Sequence, residues 1–536
     1  MATAAASIGG RPQAPERILN PYRWIILIGL VTAAVMEVLD TTVVNVALPQ
    51  MMGNLGATTD EIGWVSTGYI LSNVVVLPMT AWLSHRFGRR RYLAGSIILF
   101  ITASFFCGMS RTLLELVLWR VVQGAGGAAL LSTAQATLFE IFSVKEMPIV
   151  QALFGVGMIS APTVAPALGG WITDNYSWPW VFFINVPIGL ISVSIVLSFL
   201  DDSIYTRSTD VIDYIGIILL TVGLISLQYV LEEGLRWDWF EDPTITKLSW
   251  LSVVTLSLWV WWELSPRNKH PVVDLHVLRS NSLRMGILLM TALGTSLYGG
   301  TFLYPMFVQQ VLHFTAIETG MALLPGGIVS GLGMLLCGRL LNKKNPVDPR
   351  RLIAFGVLMT VLGMWQLSHL TSQSGQWDAQ AALMIRGCGL GFLFLPITMA
   401  AFSNLRGSDI AQGSSLLNLS RQLGGSFGIA ILNTYVVHMS SYHRSYLVGY
   451  LTSASQLYSS RLHAITRFFE LKGYSTPSAS AVAHLFVNNG VNVQAATLAY
   501  NEGFLLVGVL MALVAPAILF LRRGTRPGDG PGQAAN

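Results

Sequence analysis

The sequence predicts an all-α polytopic membrane protein with fourteen transmembrane helices, arranged as two pseudo-symmetric six-helix bundles plus an inserted helix pair, with both termini cytoplasmic. Three observations predict this fold class. Of the 536 residues, 53% are hydrophobic and only 11% are charged, whereas soluble proteins carry about 25% charged residues. Long apolar segments recur along the whole chain, and basic residues fall mainly on one side of them. The composition excludes a soluble multidomain enzyme, a disordered chain and a disulfide scaffold.

Fourteen segments are apolar over a length close to the roughly 20 residues that a spanning helix needs. They lie near 24–49, 61–83, 92–109, 112–138, 149–173, 178–200, 214–231, 248–264, 285–311, 319–341, 352–370, 379–402, 410–438 and 498–521. The first segment is too long for a signal peptide and contains acidic residues. Cys107, Cys337 and Cys388 lie inside apolar runs, which favours helix packing over a disulfide or a metal site.

Basic residues set the predicted orientation. With the N-terminus inside, the inner segments hold 22 Lys and Arg residues, the outer loops hold seven, and three lie within spans. Because cytoplasmic loops carry the excess of basic residues, this distribution predicts an even number of spans with both termini inside. Basic residues next to apolar runs favour anionic lipid headgroups, so we expect a lipid bilayer and no nucleic acid as the partner.

The spans divide into three predicted units. The first six-helix bundle covers residues 1–205, the inserted pair covers 206–266, and the second bundle covers 267–536. A polar outer loop at about 441–496 interrupts the second bundle, and its apolar residues around 446–469 follow helical spacing.

Two short matches relate the bundles. A basic turn follows span 2 at 81–91 and span 10 at 338–344, and the sequence Gln-Gly-Ala-Gly at 123–126 in span 4 resembles Arg-Gly-Cys-Gly at 386–389 in span 12. Both matches fall in the same register of the two sets of six. A six-plus-six repeat around a central site is typical of secondary transporters.

Several longer motifs then carry a resemblance to a known family. They are the first-span motif at 39–49, the basic turn at 81–91, the fourth-span motif at 120–124, the fifth-span motif at 165–170, and the stretches at 180–189, 238–240 and 418–425. At these residues the sequence resembles the major facilitator superfamily, specifically its fourteen-span drug:proton antiporter branch of EmrB- and QacA-like transporters. The EmrB-like subgroup is the most similar.

The resemblance implies a function and a location. It implies a multi-pass protein of the bacterial inner membrane that exports hydrophobic or amphipathic drugs and toxic compounds by alternating access. The proton gradient would be the energy source, without a cofactor. By the same analogy, the outer loop docks a periplasmic membrane-fusion adaptor and, through it, an outer-membrane channel.

Two family motifs place functional residues on this chain. The inner-loop motif contains Ala81, His85, Arg86, Gly88, Arg89 and Arg90. The helix-5 antiporter motif contains Pro162, Pro166, Gly169 and Gly170. Ala81 and His85 stand where the family usually has Gly and Asp, so His85 does not supply the carboxylate of the family's inner latch. We expect the basic residues to bind helix termini or lipid, and the Pro and Gly residues to let span 5 bend and pack closely.

Three ionisable residues lie deep in the predicted membrane. Asp40 lies roughly 13 Å from the outer end of span 1, and Arg120 lies roughly 12 Å from the outer end of span 4, at 1.5 Å per residue. The equal depth permits an ion pair, and Glu37 lies one turn from Asp40 on the same face. We interpret Glu37 and Asp40 as carriers of the transported proton and Arg120 as the cation that tunes them. A static structural pair is the alternative.

The predicted substrate pocket is mainly apolar with a few polar side chains. The candidates are Tyr69, Asn73, Tyr298, Tyr304, Gln309, Asn418, Arg421 and Gln422. Arg386 and Arg421 lack an obvious acidic partner in the sequence. We interpret Arg386 as structural and leave the role of Arg421 open.

The sequence contains no motif of an enzyme. It has no His-Glu-x-x-His, no P-loop lysine motif and no Gly-x-Ser-x-Gly, so we expect neither catalytic residues nor a metal site. Two other transport classes stay open, namely a proton-coupled importer and a passive channel for a small organic molecule.

Overall fold

The computed structural model describes residues 20–143, 145–202, 212–343, 346–405, 407, 409–452 and 455–521. These residues form α-helices and connecting turns, with no β-strand among them. Both chain ends and the predicted boundary between residues 205 and 206 lie outside the described ranges.

Fifteen long helices are labelled here in chain order. They are α1 (Arg23–Leu55), α2 (Trp64–Phe87), α3 (Arg89–Met109), α4 (Leu113–Ile141), α5 (Met147–Asn175), α6 (Trp180–Phe199), α7 (Tyr214–Glu233), α8 (Pro243–Glu263), α9 (Asn281–Gln310), α10 (Ala316–Leu341), α11 (Pro349–Leu367), α12 (Gln380–Phe402), α13 (Asp409–Val448), α14 (Gln456–Leu471) and α15 (Thr476–Val514). Short helical turns lie at Thr59–Ile62, Trp239–Glu241, Leu275–Arg279 and Ala517–Phe520.

Most of these helices have the length and hydropathy of membrane spans. Within the described residues, eleven helices meet that description, and α5 makes a twelfth when its two parts are counted as one span. The all-helical membrane fold is therefore confirmed. Helices α8 and α13 also lie where spans 8 and 13 were predicted, but they are less apolar. In α13 this follows from polar side chains such as Ser414, Asn418 and Arg421, which are buried inside the protein.

Local sequence explains where several helices begin. Thr112 caps α4 by accepting a hydrogen bond from the backbone N–H of Glu115. Thr315 and Glu318 form a capping box at the start of α10. Between α2 and α3 the chain turns at Gly88, whose φ of +83° favours glycine. Asp202 then accepts a hydrogen bond from the backbone N–H of Arg90 at 3.1 Å and satisfies the open N-terminus of α3.

One face of the bundle carries many of the basic residues and is called the basic face. It contains the starts of α1, α3 and α5 and the ends of α2, α4 and α6. Arg23 pairs with Glu146 at 2.9 Å, Arg89 pairs with Glu140, and Asn20 bonds to Asp201 at 3.0 Å. These contacts join helix ends that are distant in sequence, which fixes the antiparallel order of the first six helices.

The glycines of α4 and α12 show that the two bundles repeat in three dimensions. A side chain at Gly124 would overlap the backbone of α2 at Tyr69, and one at Gly387 would overlap the backbone of α10 at Gly326. A side chain at Gly126 would meet α3, and one at Gly389 would meet α11. The pairs 124/387 and 126/389 therefore occupy equivalent positions, as the sequence register predicts.

Helices α5 and α10 pack along each other between the two bundles. Gly338 lies against Pro148 near the basic face, and Gly320 lies against Ala167 near the opposite face. Helix α5 bends by 49° between Pro162 and Val164, as expected for proline inside a helix.

The inserted pair, α7 and α8, lies beside α2 and α13 rather than within either bundle. Ser252 of α8 donates to the carbonyl of Gly223 of α7 at 3.0 Å, which holds the pair together. Gln228 of α7 bonds to Ser426 of α13 at 3.0 Å, and the ring of Tyr229 lies 5.9 Å from that of Trp64 in α2. The pair thus contacts both bundles.

The predicted outer loop is largely helical. Helix α13 has 40 residues and α15 has 39, so each extends to about 60 Å at 1.5 Å per residue. That length is about twice the roughly 30 Å hydrocarbon thickness, so both helices extend past the bilayer. Arg444 of α13 donates to Asn488 and Asn492 of α15 and joins the two extensions. The amphipathic helix α14 packs against α15 there.

Candidate functional site

Asp40 and Arg120 form a buried ion pair in the first bundle. The Nη1 of Arg120 lies 2.6 Å from the Oδ2 of Asp40, and the two residues are 1% and 2% exposed, respectively. The equal depths predicted for Asp40 on α1 and Arg120 on α4 therefore correspond to a direct contact between the two side chains. Because the pair is buried away from water, removing either residue would leave the charge of the other buried and uncompensated.

Further donors satisfy the second oxygen of Asp40. Gln123 and Asn185 donate to Oδ1 at 2.9 and 2.7 Å, and Asn185 also bonds to Ser104 at 3.0 Å. The Nε of Arg120 donates to the carbonyl of Val65 in α2 at 2.9 Å. All groups around Asp40 are N–H donors, so the site fits an ionised carboxylate that links α1, α4 and α6.

An aromatic ring covers Arg120 on the side of α2. The guanidinium carbon lies 4.3 Å from the ring centroid of Tyr69 and 5.7 Å from that of Phe182. Such cation–π contacts strengthen when they are desolvated. Tyr69, predicted as a substrate ligand, therefore has its ring face occupied by the ion pair.

Glu37 differs from Asp40 in its hydrogen bonding. It is only 7% exposed, yet its Oε2 has no hydrogen-bond partner within the described residues. By the same criterion, the hydroxyl of Tyr69 and both amide atoms of Asn73 make no hydrogen bond among the described residues, although the Asn73 amide lies close to both Glu37 and Tyr69. Buried polar groups of this kind are uncommon, so Glu37, Tyr69 and Asn73 form a polar cluster whose hydrogen-bonding capacity the described residues do not fill.

Arg421 brings a charge from the second bundle toward this cluster. It is 4% exposed and donates to the hydroxyl of Tyr298 in α9. The charged side chains of Arg421 and Asp40 both lie near enough to Glu37 to act on its carboxyl group. An ionised Glu37 on α1 would therefore be attracted to Arg421 on α13 across the two halves.

The other predicted pocket residues lie apart from this cluster. Asn418 donates to Gln135 at 2.8 Å, so its amide joins the two halves. Tyr304 is 1% exposed in an apolar cluster with Phe307 and Phe504. Gln309 is exposed near the end of α9, and Gln422 is half-buried. The structure thus brings together Tyr69 and Asn73 in one bundle and Tyr298 and Arg421 in the other.

A set of polar contacts between the two halves, here called the polar seal, was not predicted from the sequence. Here Thr80 lies 2.9 Å from Ser132 and 2.8 Å from Ser415. Ser414 donates to the carbonyl of Ser132 at 2.9 Å. Together with the bond between Gln135 and Asn418, these contacts join α2 and α4 to α13 near the basic face. The adjacent Ser414 and Ser415 in an apolar span were the available signal.

The inner-loop motif lies at the basic face. Ala81 is buried in contact with Ala136 and Ala411, so this position packs α2 against both α4 and α13. The guanidinium of Arg86 lies 5.6 Å from the ring centroid of Trp82. Arg89 pairs with Glu140, and Arg90 donates to the carbonyl of Leu197. The contacts of Arg89 and Arg90 both lie at helix ends. His85 belongs to the same turn.

The helix-5 motif faces α1 and α10. A side chain at Gly169 would crowd Val43 of α1, and one at Gly170 would lie 3.6 Å from Ile317 of α10. Pro162 is buried at the bend, and Pro166 is half-buried in the following turn. The motif therefore occupies the junction between the two bundles.

Comparisons with known proteins identify the family. The sequence profile of the Major Facilitator Superfamily matches residues 30–429. The chain is a member of the major facilitator superfamily. It is 32% identical to the multidrug export protein EmrB of Escherichia coli K12 over 512 residues, which cover 95% of this chain and 97% of EmrB. It is 31% identical to the fatty acid resistance protein FarB of Neisseria gonorrhoeae over 508 residues, which cover 95% and 97%. The EmrB-like branch is confirmed.

Solved structures share the superfamily fold at low sequence identity. A double-tryptophan mutant of XylE matches with a TM-score of 0.59 and 10% identity over 94% of this chain and 97% of that chain. The human organic anion transporter MFSD10 matches with a TM-score of 0.55 and 13% identity over 92% and 99%. Its membership of the superfamily identifies the protein as a multi-pass membrane transporter and not an enzyme. Among the described residues, no group of His, Cys, Asp and Glu side chains could hold a metal ion.

Proposed function

We propose that this protein is a proton-coupled efflux antiporter with fourteen spans and cytoplasmic termini in the bacterial inner membrane. It exports hydrophobic or amphipathic toxic compounds by alternating access. The observation that carries the proposal is the buried carboxylate of Glu37, whose Oε2 has no hydrogen-bond partner among the described residues, one turn from the Asp40–Arg120 pair. Intramembrane carboxylates of this kind mark proton pathways, the name of EmrB supports export, and the name of FarB supports resistance to fatty acids.

The two carboxylates have different parts in the proposal. Protonating Asp40 would disrupt hydrogen bonds from Arg120, Gln123 and Asn185. Glu37 lies near the Asn73 amide but makes no hydrogen bond of normal geometry at Oε2 among the described residues, so its protonation disturbs fewer contacts. We therefore assign the exchangeable proton to Glu37 and the anchoring of α1, α4 and α6 to Asp40.

The coupling passes through Arg421. Its charge attracts ionised Glu37 across the two halves, and a proton on Glu37 removes that attraction. Because the polar seal lies near the basic face, we assign this arrangement to the state closed toward the cytoplasm. The proton then enters from the opposite side and favours release of the halves.

The helical extensions are the proposed docking surface for a periplasmic adaptor, which in turn binds an outer-membrane channel. Leu457 and Leu471 of α14 are 83% and 82% exposed. Phe468 of α14 and Phe486 of α15 line an apolar groove between the two helices. Exposed apolar patches of this kind mark protein interaction sites.

A transport assay tests the function. The protein is reconstituted in proteoliposomes, a pH gradient is imposed, and the movement of a fluorescent amphipathic dye is followed together with internal pH. An antiporter moves the dye against the proton flow and above its equilibrium distribution. Dye movement in the direction of the protons would show an importer. A flux that does not depend on the pH gradient and stops at equilibrium would show a channel.

A separate assay tests the docking surface. We expect Phe468→Glu combined with Phe486→Glu to abolish co-purification of the adaptor encoded by the same organism, because the groove becomes charged. Glu470→Lys, a change of charge on the same helix α14, serves as the control. Adaptor binding that survives the double change would contradict the docking proposal while leaving transport untouched.

A further inference from the structure

The connection between the inserted pair and the second bundle is buried, although much of it is a loop. Residues 265–279 join α8 to α9 and are called the strap. Val272 and Val273 of the strap are both 0% exposed. They belong to one apolar cluster with Leu77 of α2 and Leu416 of α13. Because loops usually run over the protein surface, the burial of this one indicates that it holds a defined position.

The strap lies beside the polar seal. Leu77 comes three residues before Thr80 in α2, and Leu416 directly follows Ser415 in α13. The hydroxyl groups of Thr80 and Ser415 lie 2.8 Å apart in the seal. Since α2 and α13 belong to different halves, their separation at the basic face would expose the valines of the strap to water unless the strap moves as well.

Two buried carboxyl groups hold the strap at its other end. The Nδ2 of Asn268 donates to the Oδ2 of Asp213 at 2.6 Å and to the Oε2 of Glu263 at 3.2 Å. Asp213 precedes α7 and is 8% exposed, and Glu263 ends α8 and is 1% exposed. Trp262 and Trp259 donate to the other oxygens of these two groups at 2.9 and 3.2 Å, respectively. One amide therefore joins the strap to both helices of the inserted pair.

No cation compensates the two carboxyl groups within the described residues. Neither Asp213 nor Glu263 forms an ion pair there, and Asp274 is a third acidic group near Glu263. The basic residues of the strap are all exposed, namely Arg267, Lys269, His270, His276 and Arg279. Two adjacent buried carboxylates repel each other, which favours the binding of a proton by one of them. The pair can thus exist with one shared proton or with none.

We propose that the strap is a proton-dependent lock on the basic face, held in place when Asp213 and Glu263 share one proton. Release of that proton to the solution at the basic face leaves two negative charges side by side. Their repulsion separates the ends of α7 and α8 and breaks the double contact of Asn268. The strap then leaves the apolar cluster, and α2 and α13 are free to separate at the polar seal. The lock goes beyond the proposed function, since it does not depend on the direction of transport.

Thiol labelling measures the position of the strap. Val273→Cys is introduced into the full-length protein in lipid nanodiscs, with the three native cysteines replaced by alanine. Its reaction with a maleimide is followed from about pH 6 to about pH 9, because buried carboxyl groups titrate as high as about pH 8–9. His270→Cys, at an exposed position of the strap, corrects for the pH dependence of the thiol itself.

We expect the corrected rate for Val273→Cys to rise by about tenfold or more over this range, since release of one proton shifts an equilibrium by up to about tenfold per pH unit. A corrected rate that does not change with pH would overturn the proposal.

Variants locate the proton. Glu263→Gln and Asp213→Asn each remove one negative charge, so the thiol introduced by Val273→Cys should stay protected at every pH. Asn268→Leu removes the double contact and should expose the thiol at every pH. Glu241→Gln, near the opposite end of α8, is the matched control and should retain the pH dependence. A pH dependence that survives both Glu263→Gln and Asp213→Asn would assign the proton to another group and overturn the proposal.

A second thiol tests the link between the strap and the polar seal. Ala411, which is 5% exposed, packs against Ala81 of α2 and Ala136 of α4. The corrected labelling of Ala411→Cys should rise over the same pH range as that of Val273→Cys and stay low when Glu263→Gln is added. Exposure of the thiol of Val273→Cys without exposure of that of Ala411→Cys would show that the strap does not lock the halves. These assays use no transported substrate, so their outcome is independent of the antiport assay.

Discussion

Arg120 and Arg386 both lie deep inside their bundles, but their guanidinium groups meet different partners. Arg120 contacts a carboxylate at 2.6 Å that also accepts from two amide side chains. Arg386 contacts only backbone carbonyls and adjoins a cavity. Arg120 thus belongs to a complete ion pair in the first half, whereas Arg386, which lies about one turn from the position equivalent to Arg120, has no acidic partner among the described residues.

This difference teaches that a structural repeat does not imply equal roles. In the first half, the internal counter-ion makes α1, α4 and α6 one anchored unit, beside which Glu37 carries the exchangeable proton. In the second half, Arg386 has no counter-ion among the described residues, and its guanidinium group rests on backbone carbonyls.

Substitution of the two arginines should give the largest difference in stability between the two halves. Arg120→Met leaves Asp40 buried and unpaired and should lower the free energy of unfolding by about 3–5 kcal/mol. Arg386→Met removes a charge that has no acidic partner, so its effect should be neutral or stabilising. Thermal unfolding in lipid nanodiscs measures both. Equal destabilisation by the two changes would show that Arg386 has a structural role.

Substitution of the equivalent glycines should have the next largest effect on stability. Gly124→Ala and Gly387→Ala should each destabilise by about 1–3 kcal/mol, because the added methyl group forces two helix backbones apart. Gly95→Ala in α3 is the matched control, since nothing lies within 4 Å of its added Cβ. A glycine of one bundle that tolerates alanine while its equivalent does not would contradict the equivalence of the two positions.

The polar seal between the halves should have the smallest effect. Removal of the hydrogen bond between Gln135 and Asn418 by Asn418→Ala should weaken the closed arrangement by about 0.6 kcal/mol, the average for hydrogen bonds between membrane helices, and by about 1.7 kcal/mol at most. Accessibility of a cysteine introduced at Ala411 to a thiol reagent added from the basic face reports the opening. Unchanged labelling in Asn418→Ala and Gln135→Ala would show that other contacts hold the seal.

Hydrophobicity and glycine spacing predict much of the fold. They place the helices, the register of the repeat and the common depth of Asp40 and Arg120. These features follow from local rules, because bilayer thickness fixes helix length and small residues mark close helix approach.

Other features depend on contacts between distant segments. The sequence places Gln123 and Asn185 in apolar spans, but it does not show that their amides donate to Asp40. Tyr304 combines an aromatic ring with a hydroxyl group, which suits a substrate pocket, but it lies in an apolar cluster. The extensions of α13 and α15 lack an apolar pattern of their own, so the segment 441–496 was predicted mainly as a loop.

The central claim is that Glu37, and not Asp40, carries the exchangeable proton, and uphill transport by Glu37→Gln in proteoliposomes tests it most directly. We predict that this variant retains its fold and moves substrate down a concentration gradient, but no longer accumulates it when a pH gradient is imposed. Full accumulation driven by the pH gradient in Glu37→Gln would contradict the claim.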